Sequence, residues 1–226
     1  MVKLIKGKLP RELFDFLGIK RSAVLSSYTS LFCEDYSDNE IYLQYSSEQI
    51  SSAFANFADK SLLFVSKDTD YDELKFALNS NLLSTDILPF KKYGSLFLLS
   101  CDSNGENEES EFDISDIPLN LILDDERVIE KKKYLYIKGK CRPFALTKDE
   151  IVCAFGLLSI SDDYNIISDI YTRPKFRRKG YASEIIYNLL SMAPAGKIYT
   201  ICEEELLSLY LSIGFSPCGE INKYII

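Results

Sequence analysis

The residues best placed to do chemistry lie between Asn165 and Ala182, in the stretch NIISDIYTRPKFRRKGYA. An apolar, strand-like run ends at Pro174, a basic loop follows, and an amphipathic helix begins beyond it. Backbone N–H groups at the start of a helix have no intrahelical partner and carry the positive end of the helix dipole, so they bind anions. Arg177, Arg178, Lys179, Gly180, Tyr181, Ala182 and Ser183 therefore form a candidate diphosphate site, with Gly180 and Ala182 small enough to let a phosphate approach the backbone. Arg173, Lys175, Arg177, Arg178 and Lys179 would also suit a solvated loop or a nucleic-acid patch. The net charge of −8 argues against a nucleic-acid partner.

A second group of residues lies nearer the C-terminus. Tyr210 precedes the pair Gly214-Phe215 by four positions, on a segment with helical spacing that Gly214 should terminate. The chain has no histidine, which excludes Ser/His and Cys/His nucleophile pairs and most zinc hydrolase centres. Acid and base work must fall to carboxylates, Tyr, Cys, Lys or water. The six cysteines, Cys33, Cys101, Cys141, Cys153, Cys202 and Cys218, are far apart and form no CxxC pair. They read as reduced core thiols, with no metal site expected and the cytoplasm as the default compartment.

Arg177-x-x-Gly180-x-Ala182, with the Tyr210 to Phe215 segment behind it, resembles the GNAT superfamily of acetyl-CoA-dependent N-acetyltransferases. The resemblance is confined to the C-terminal part. It implies acetyl-CoA as co-substrate, with its diphosphate on the basic loop. It also implies a strand that splits from its neighbour, so that Ile170, Tyr171 and Thr172 pair with the pantetheine arm. The reaction implied is direct attack of a primary amine on the thioester in a ternary complex. An amine of pKa about 10.4 is mostly protonated at pH 7 and needs a base or a water chain to one. By family position the nearest carboxylate is Asp169, with Glu203 and Glu204 at the end of the next strand as further carboxylates, and Tyr210 resembles the residue that protonates the departing thiolate. Two positions depart from the family pattern. Glu203 stands where many members carry an Asn that contacts CoA, and Arg178 stands where a glycine is common.

These residues need a frame to hold them. At 226 residues, 46% hydrophobic and 27% charged, the chain can bury a core without disulfides. No apolar run suits a signal peptide or a membrane span. The fold class expected is α/β, a mixed and mostly antiparallel sheet flanked by helices. Residues 1–115 are expected to form an N-terminal α/β region and residues 116–226 the GNAT-like domain, with the acidic stretch from Asp102 to Ser115 as the link.

In the first region, helices are expected from Pro10 and over Ala23 to Phe32, and from Ser46-Ser47-Glu48 through Phe57. A further helix is expected over Asp70 to Leu78, and strands over Ile41 to Tyr45, Ser61 to Ser66 and Ser95 to Cys101. In the second, Tyr134 to Ile137, Phe144 to Thr147, Ile151 to Ile160 and Asn165 to Thr172 read as strands. Ala182 to Met192 reads as a helix, Lys197 to Cys202 as a strand, Glu203 to Ile213 as a helix and Asn222 to Ile226 as a last strand.

The N-terminal region either shapes the acceptor site or is a degenerate copy of the same fold. The acceptor is a small-molecule or peptide amine that the sequence does not identify, and an exposed sheet edge would allow a homodimer. The alternative to an enzyme is a non-catalytic module that binds acyl-CoA or another protein.

Overall fold

The computed structural model describes residues 2–6, 9–29, 40–57, 60–106 and 108–226. The end of the helix expected to reach Phe32, and Cys33, lie outside them. The chain divides into two compact units: Met1–Leu98 with Cys202–Glu204 and Cys218–Ile226, and Leu99–Ile201 with Glu205–Pro217. The sequence reading draws its division at 115/116; the units divide at 98/99, and the last strand belongs to the first unit.

The first unit contains β1 (Val2–Lys6), α1 (Arg11–Thr29), β2 (Glu40–Ser46), β3 (Gln49–Phe57), β4 (Lys60–Val65), α2 (Tyr71–Leu74) and β5 (Asn81–Ser84). Strands β1 to β4 are successive antiparallel neighbours, and β5 returns parallel to β4. Most of β11 (Ser216–Ile225) pairs antiparallel with β5, and the first part of β6 (Lys91–Ser103) follows it. Phe54, Leu63, Leu74, Leu82, Leu88 and Tyr224 form one core cluster.

One expectation is corrected here. Gln49–Phe57 is a strand, not a helix, joined to β2 by a tight turn in which Ser47 (φ 50°) and Glu48 (φ 67°) both take positive φ. Pairing with β2 on one side and β4 on the other overrides the helix preference of Ala53 and Ala55 and the helix-start signal of Ser46 to Glu48. The two helices expected near the N-terminus follow one another within Arg11–Thr29, separated by a kink at Gly18, whose φ of 64° is non-helical. The four-residue β5, too short to show periodicity, is an addition.

The second unit contains α3 (Glu126–Ile137), β7 (Cys141–Lys148), β8 (Ile151–Ile160), β9 (Asn165–Thr172), α4 (Tyr181–Ser191), most of β10 (Gly196–Cys202) and of α5 (Glu204–Ile213), and the end of β6. Strands β7, β8 and β9 form an antiparallel meander, and β10 runs parallel to β9. Helix α4 packs on the meander through Ile185, Ile186 and Leu189. Tyr134–Ile137, expected as a strand, is the last turn of α3. Asp125 caps that helix by accepting from the Arg127 N–H, and Ile129, Lys132 and Leu135 recur on its buried face. An aromatic and β-branched tetrapeptide looks like a strand until its phase with residues a turn earlier is counted.

The architecture is the mixed α/β one expected. The order strand, helix, three-stranded meander, helix, parallel strand occurs twice, as β1-α1-β2-β3-β4-α2-β5 and as β6-α3-β7-β8-β9-α4-β10.

Candidate functional site

The site is built around an irregularity in β9. Pairing with β8 runs Ala154↔Thr172 and Phe155↔Tyr171, then resumes at Leu157↔Ser168. Two residues, Asp169 and Ile170, therefore oppose the single residue Gly156, which is a β-bulge. Asp169 takes φ 57°, a left-handed conformation that Asp tolerates better than most side chains. Gly156 is required opposite it. A Cβ there would collide with Ile170 Cδ1 and come within 2.8 Å of Ile185 Cγ2 and 2.9 Å of Leu189 Cδ1.

The bulge is tied from below. Lys132 Nζ on α3 donates to Asp169 Oδ2 at 2.7 Å, and Ser168 Oγ donates to the same oxygen at 2.7 Å. The Lys132 and Asp169 side chains are only 7% and 13% exposed.

Just before the bulge, β9 loses its other neighbour. Its ladder with β10 consists of Ile198↔Asn165 and Tyr199↔Ile166, so residues 167–172 extend beyond it without a β10 partner. A strand edge left in this way presents N–H and C=O groups that need partners. Ile170, Tyr171 and Thr172 all lie on this edge, half-buried, and the Thr172 Oγ1 atom is buried without a hydrogen-bond partner.

The basic loop starts where that edge ends. The Arg173 N–H donates to the Cys153 carbonyl at 2.9 Å and its Nε to the Val152 carbonyl at 2.7 Å, fixing the chain to β8. Pro174–Phe176 make one 3-10 turn that buries Phe176, with Lys175 and Lys179 over its ring and Tyr181 against its edge. Arg177 Nε donates to the Thr172 carbonyl at 3.1 Å. Arg178 (φ 61°) and Gly180 (φ 86°) then turn the chain into α4 through two left-handed residues. Gly180 is the N-cap and offers no side chain to the first turn, so the N–H groups of Tyr181, Ala182 and Ser183 receive no capping oxygen from it. Arg177, Arg178, Lys179 and Gly180 are exposed around this opening. The conformation explains why glycine is common at position 178 in the resembling family, since an Arg held there costs about 1 kcal/mol of backbone strain.

Tyr210 on α5 is buried, 4% exposed, with its ring centroid 5.5 Å from that of Phe215 in an edge-to-face contact. Gly214, at φ 110°, reverses the chain after the helix, and the Phe215 N–H donates back to the Tyr210 carbonyl at 3.1 Å. The spacing Tyr-x-x-x-Gly-Phe is thus that of a helix end folded back on its own tyrosine. Glu203, which stands where many members of the resembling family carry an Asn, accepts from Lys223 Nζ at 2.7 and 2.8 Å.

Residues 108–215 match the model of the acetyltransferase (GNAT) family. The C-terminal part of this chain is a GNAT domain. The chain is also similar in fold to a tandem GNAT protein from the clavulanic acid biosynthesis pathway, with 8% identity, TM-score 0.58, and coverage of 100% of this chain and 98% of that one. An acetyltransferase of the GNAT family from Colwellia psychrerythraea has 8% identity and TM-score 0.52, over 100% and 99% of the two chains. A GCN5-related N-acetyltransferase from Sphaerobacter thermophilus has 10% identity and TM-score 0.50, over 99% and 94%. At these identities the likeness is one of fold. No curated protein matches the chain in sequence.

Two residues central to the GNAT domain's site escaped the sequence reading. Lys132 sits in the run Lys131-Lys132-Lys133 and passes for a solvated lysine; only its helical phase with Ile129 and Leu135 marks it as buried. Gly156 carries no local turn signal. Cys141 and Cys153 are buried and free, as core thiols should be. Desolvation pushes the Cys141 thiol up to about 12 despite the opposing pull of the Lys132 cation, which leaves it protonated and unreactive at neutral pH. Among the described residues no cluster of His, Cys, Asp or Glu could hold a metal ion, and no helix is long and apolar enough to cross a membrane.

Proposed function

We propose that the GNAT domain transfers an acetyl group from acetyl-CoA to a primary amine by direct attack in a ternary complex, in the cytoplasm. The observation that carries this reading is the continuity of the β9 edge with the open N-terminus of α4. A strand with unfilled backbone groups leads directly into a left-handed, basic, glycine-capped turn. That is the shape required by a ligand with an amide-bearing arm and a diphosphate at its end. The orphaned Thr172 Oγ1 lies at the junction, where a polar ligand would satisfy it.

The bound thioester supplies an activated acyl group. The chain's residues do the rest. The N–H groups of Tyr181, Ala182 and Ser183, with Arg177, Arg178 and Lys179, hold the diphosphate. Ile170, Tyr171 and Thr172 fix the arm by strand-like pairing, and an N–H of this edge polarises the carbonyl under attack. Asp169 takes the amine proton, directly or through a water, on the oxygen that Lys132 and Ser168 leave available. Tyr210 returns a proton to the leaving thiolate.

The burial of Tyr210 favours a second reading, a domain that binds acyl-CoA without turning it over. Calorimetric titration of acetyl-CoA at fixed salt, into the wild type and an Arg177→Ala/Gly180→Glu variant, tests the site. Wild-type binding that falls at least about 100-fold in the variant, roughly 2.7 kcal/mol, supports it. Thiol release in an amine screen then separates transfer from binding alone. No wild-type binding removes the enzyme reading.

A further inference from the structure

We infer that Lys132 is a positioning residue of the acyl-CoA wedge, holding the β9 bulge open through its buried ion pair with Asp169. This rests on the proposed function for its consequence but not for its geometry. Asp169 has left-handed backbone in the middle of a strand, a conformation Asp tolerates but that interrupts the ladder and needs support from its surroundings to persist. That support is visible. The carboxylate is drawn toward α3 by Lys132 Nζ at 2.7 Å and is met from the preceding residue by Ser168 Oγ at the same distance.

Both charges are nearly out of water, so each is the other's compensation, and loss of one strands the other in a low-dielectric site. The buried thiol of Cys141 on β7 lies in the field of both charges, but burial keeps it neutral and it cannot replace either charge. The bulge is also where the β8 register slips, and past it β9 runs on without β10. A relaxed bulge would shift residues 170–172 by one place relative to β8, turning side chains to the opposite face and re-aiming the N–H groups that line the wedge. Lys132 thus controls the shape of the donor site from the neighbouring helix α3.

The test compares Lys132→Arg, Lys132→Met and the charge-free double variant Lys132→Met/Asp169→Asn, in which Asn tolerates left-handed backbone and no unpaired charge is left buried. Two readouts are used on folded protein: hydrogen exchange at the amides of residues 167–172, and calorimetric acetyl-CoA affinity, followed by KM and kcat where turnover is found. Lys132→Met should speed exchange in that segment at least 10-fold while the β7–β8 amides stay protected, and weaken acetyl-CoA binding about 10-fold or more. Lys132→Arg should restore both to within about threefold. If Lys132→Met does not fold, the double variant carries the same expectation for exchange and affinity.

Unchanged exchange at 167–172 in a folded variant overturns the inference, as does equal loss of protection across the whole domain. If the wild type binds no acetyl-CoA, the proposed function fails, and the exchange comparison still decides whether Lys132 holds the bulge.

Discussion

In the first unit β4 meets β3 in unbroken register from Phe57↔Lys60 to Ser52↔Val65, whereas in the second β9 meets β8 across a bulge. Both strands then outrun their parallel partners, since β4 pairs with β5 only as far as Leu62↔Leu83. The difference lies in what occupies the free end. Beside β4 the chain fills it. Asp86 Oδ2 accepts from the Val65 N–H at 3.0 Å, and Asp86 Oδ1 accepts from Arg21 Nη2 at 2.5 Å. The same Arg21 nitrogen reaches the Val65 carbonyl at 3.5 Å.

The helix starts differ in the same sense. Helix α2 is capped by the Asp70 carboxylate, which accepts from the N–H groups of Asp72 and Glu73 at 3.0 and 3.2 Å, while α4 is capped by a glycine and ringed with cations. The preceding loops follow suit, Ser66-Lys67-Asp68-Thr69-Asp70 against Arg173 to Lys179. One element order thus serves two ends. Where the chain's own carboxylates satisfy the strand edge and the helix N-terminus, nothing is left for an anionic ligand; where they are withheld, a site remains. This fits the N-terminal half as a copy of the fold that has closed its own wedge, in a chain whose fold follows a tandem GNAT protein from end to end.

The comparison can be broken most forcefully at Gly156. Its replacement by Val should destabilise the protein by about 2–3 kcal/mol in urea titration, because the added atoms meet Ile170, Ile185 and Leu189 in a packed core. It should also weaken acetyl-CoA binding at least 10-fold; a variant of wild-type stability would mean that the bulge and α4 are not closely packed. Asp86→Ala strikes the closed wedge. It should cost about 2 kcal/mol by leaving Arg21 and the Val65 N–H without their partner. Acetyl-CoA affinity should stay within twofold, and calorimetric stoichiometry should stay at one per chain; a stoichiometry of two in the wild type would overturn the contrast. The smallest effect is expected at Arg178, where Gly relieves the left-handed strain. Stability should rise by less than about 1 kcal/mol, and the salt dependence of acetyl-CoA binding should become shallower by the loss of one cation.

Much of the candidate site's local conformation was legible in the sequence because it follows local rules. The Arg177 to Ala182 loop, the helix behind it and the Tyr210 to Phe215 turn are short segments in which residue type dictates backbone conformation or charge. The strand-like reading of Tyr134 to Ile137 and the helical reading of Ser46 to Phe57 failed for the opposite reason. Each was judged in a window too short to contain what decides it: the phase of Ile129 and Lys132 in one case, pairing with β2 and β4 in the other.

The amino-acid sequence by itself determined the basic left-handed turn, the glycine that opens the helix and the tyrosine folded against Phe215, since φ preference, charge and capping capacity belong to single residues and their immediate neighbours. Only the tertiary structure decided which polar groups remain unsatisfied. Asp169 meets a lysine 37 positions away and Val65 an aspartate 21 positions away. Whether a strand edge is a binding site or a closed seam depends on such distant partners, because a hydrogen bond is made by what folding brings within three ångströms and not by what adjoins it in the chain.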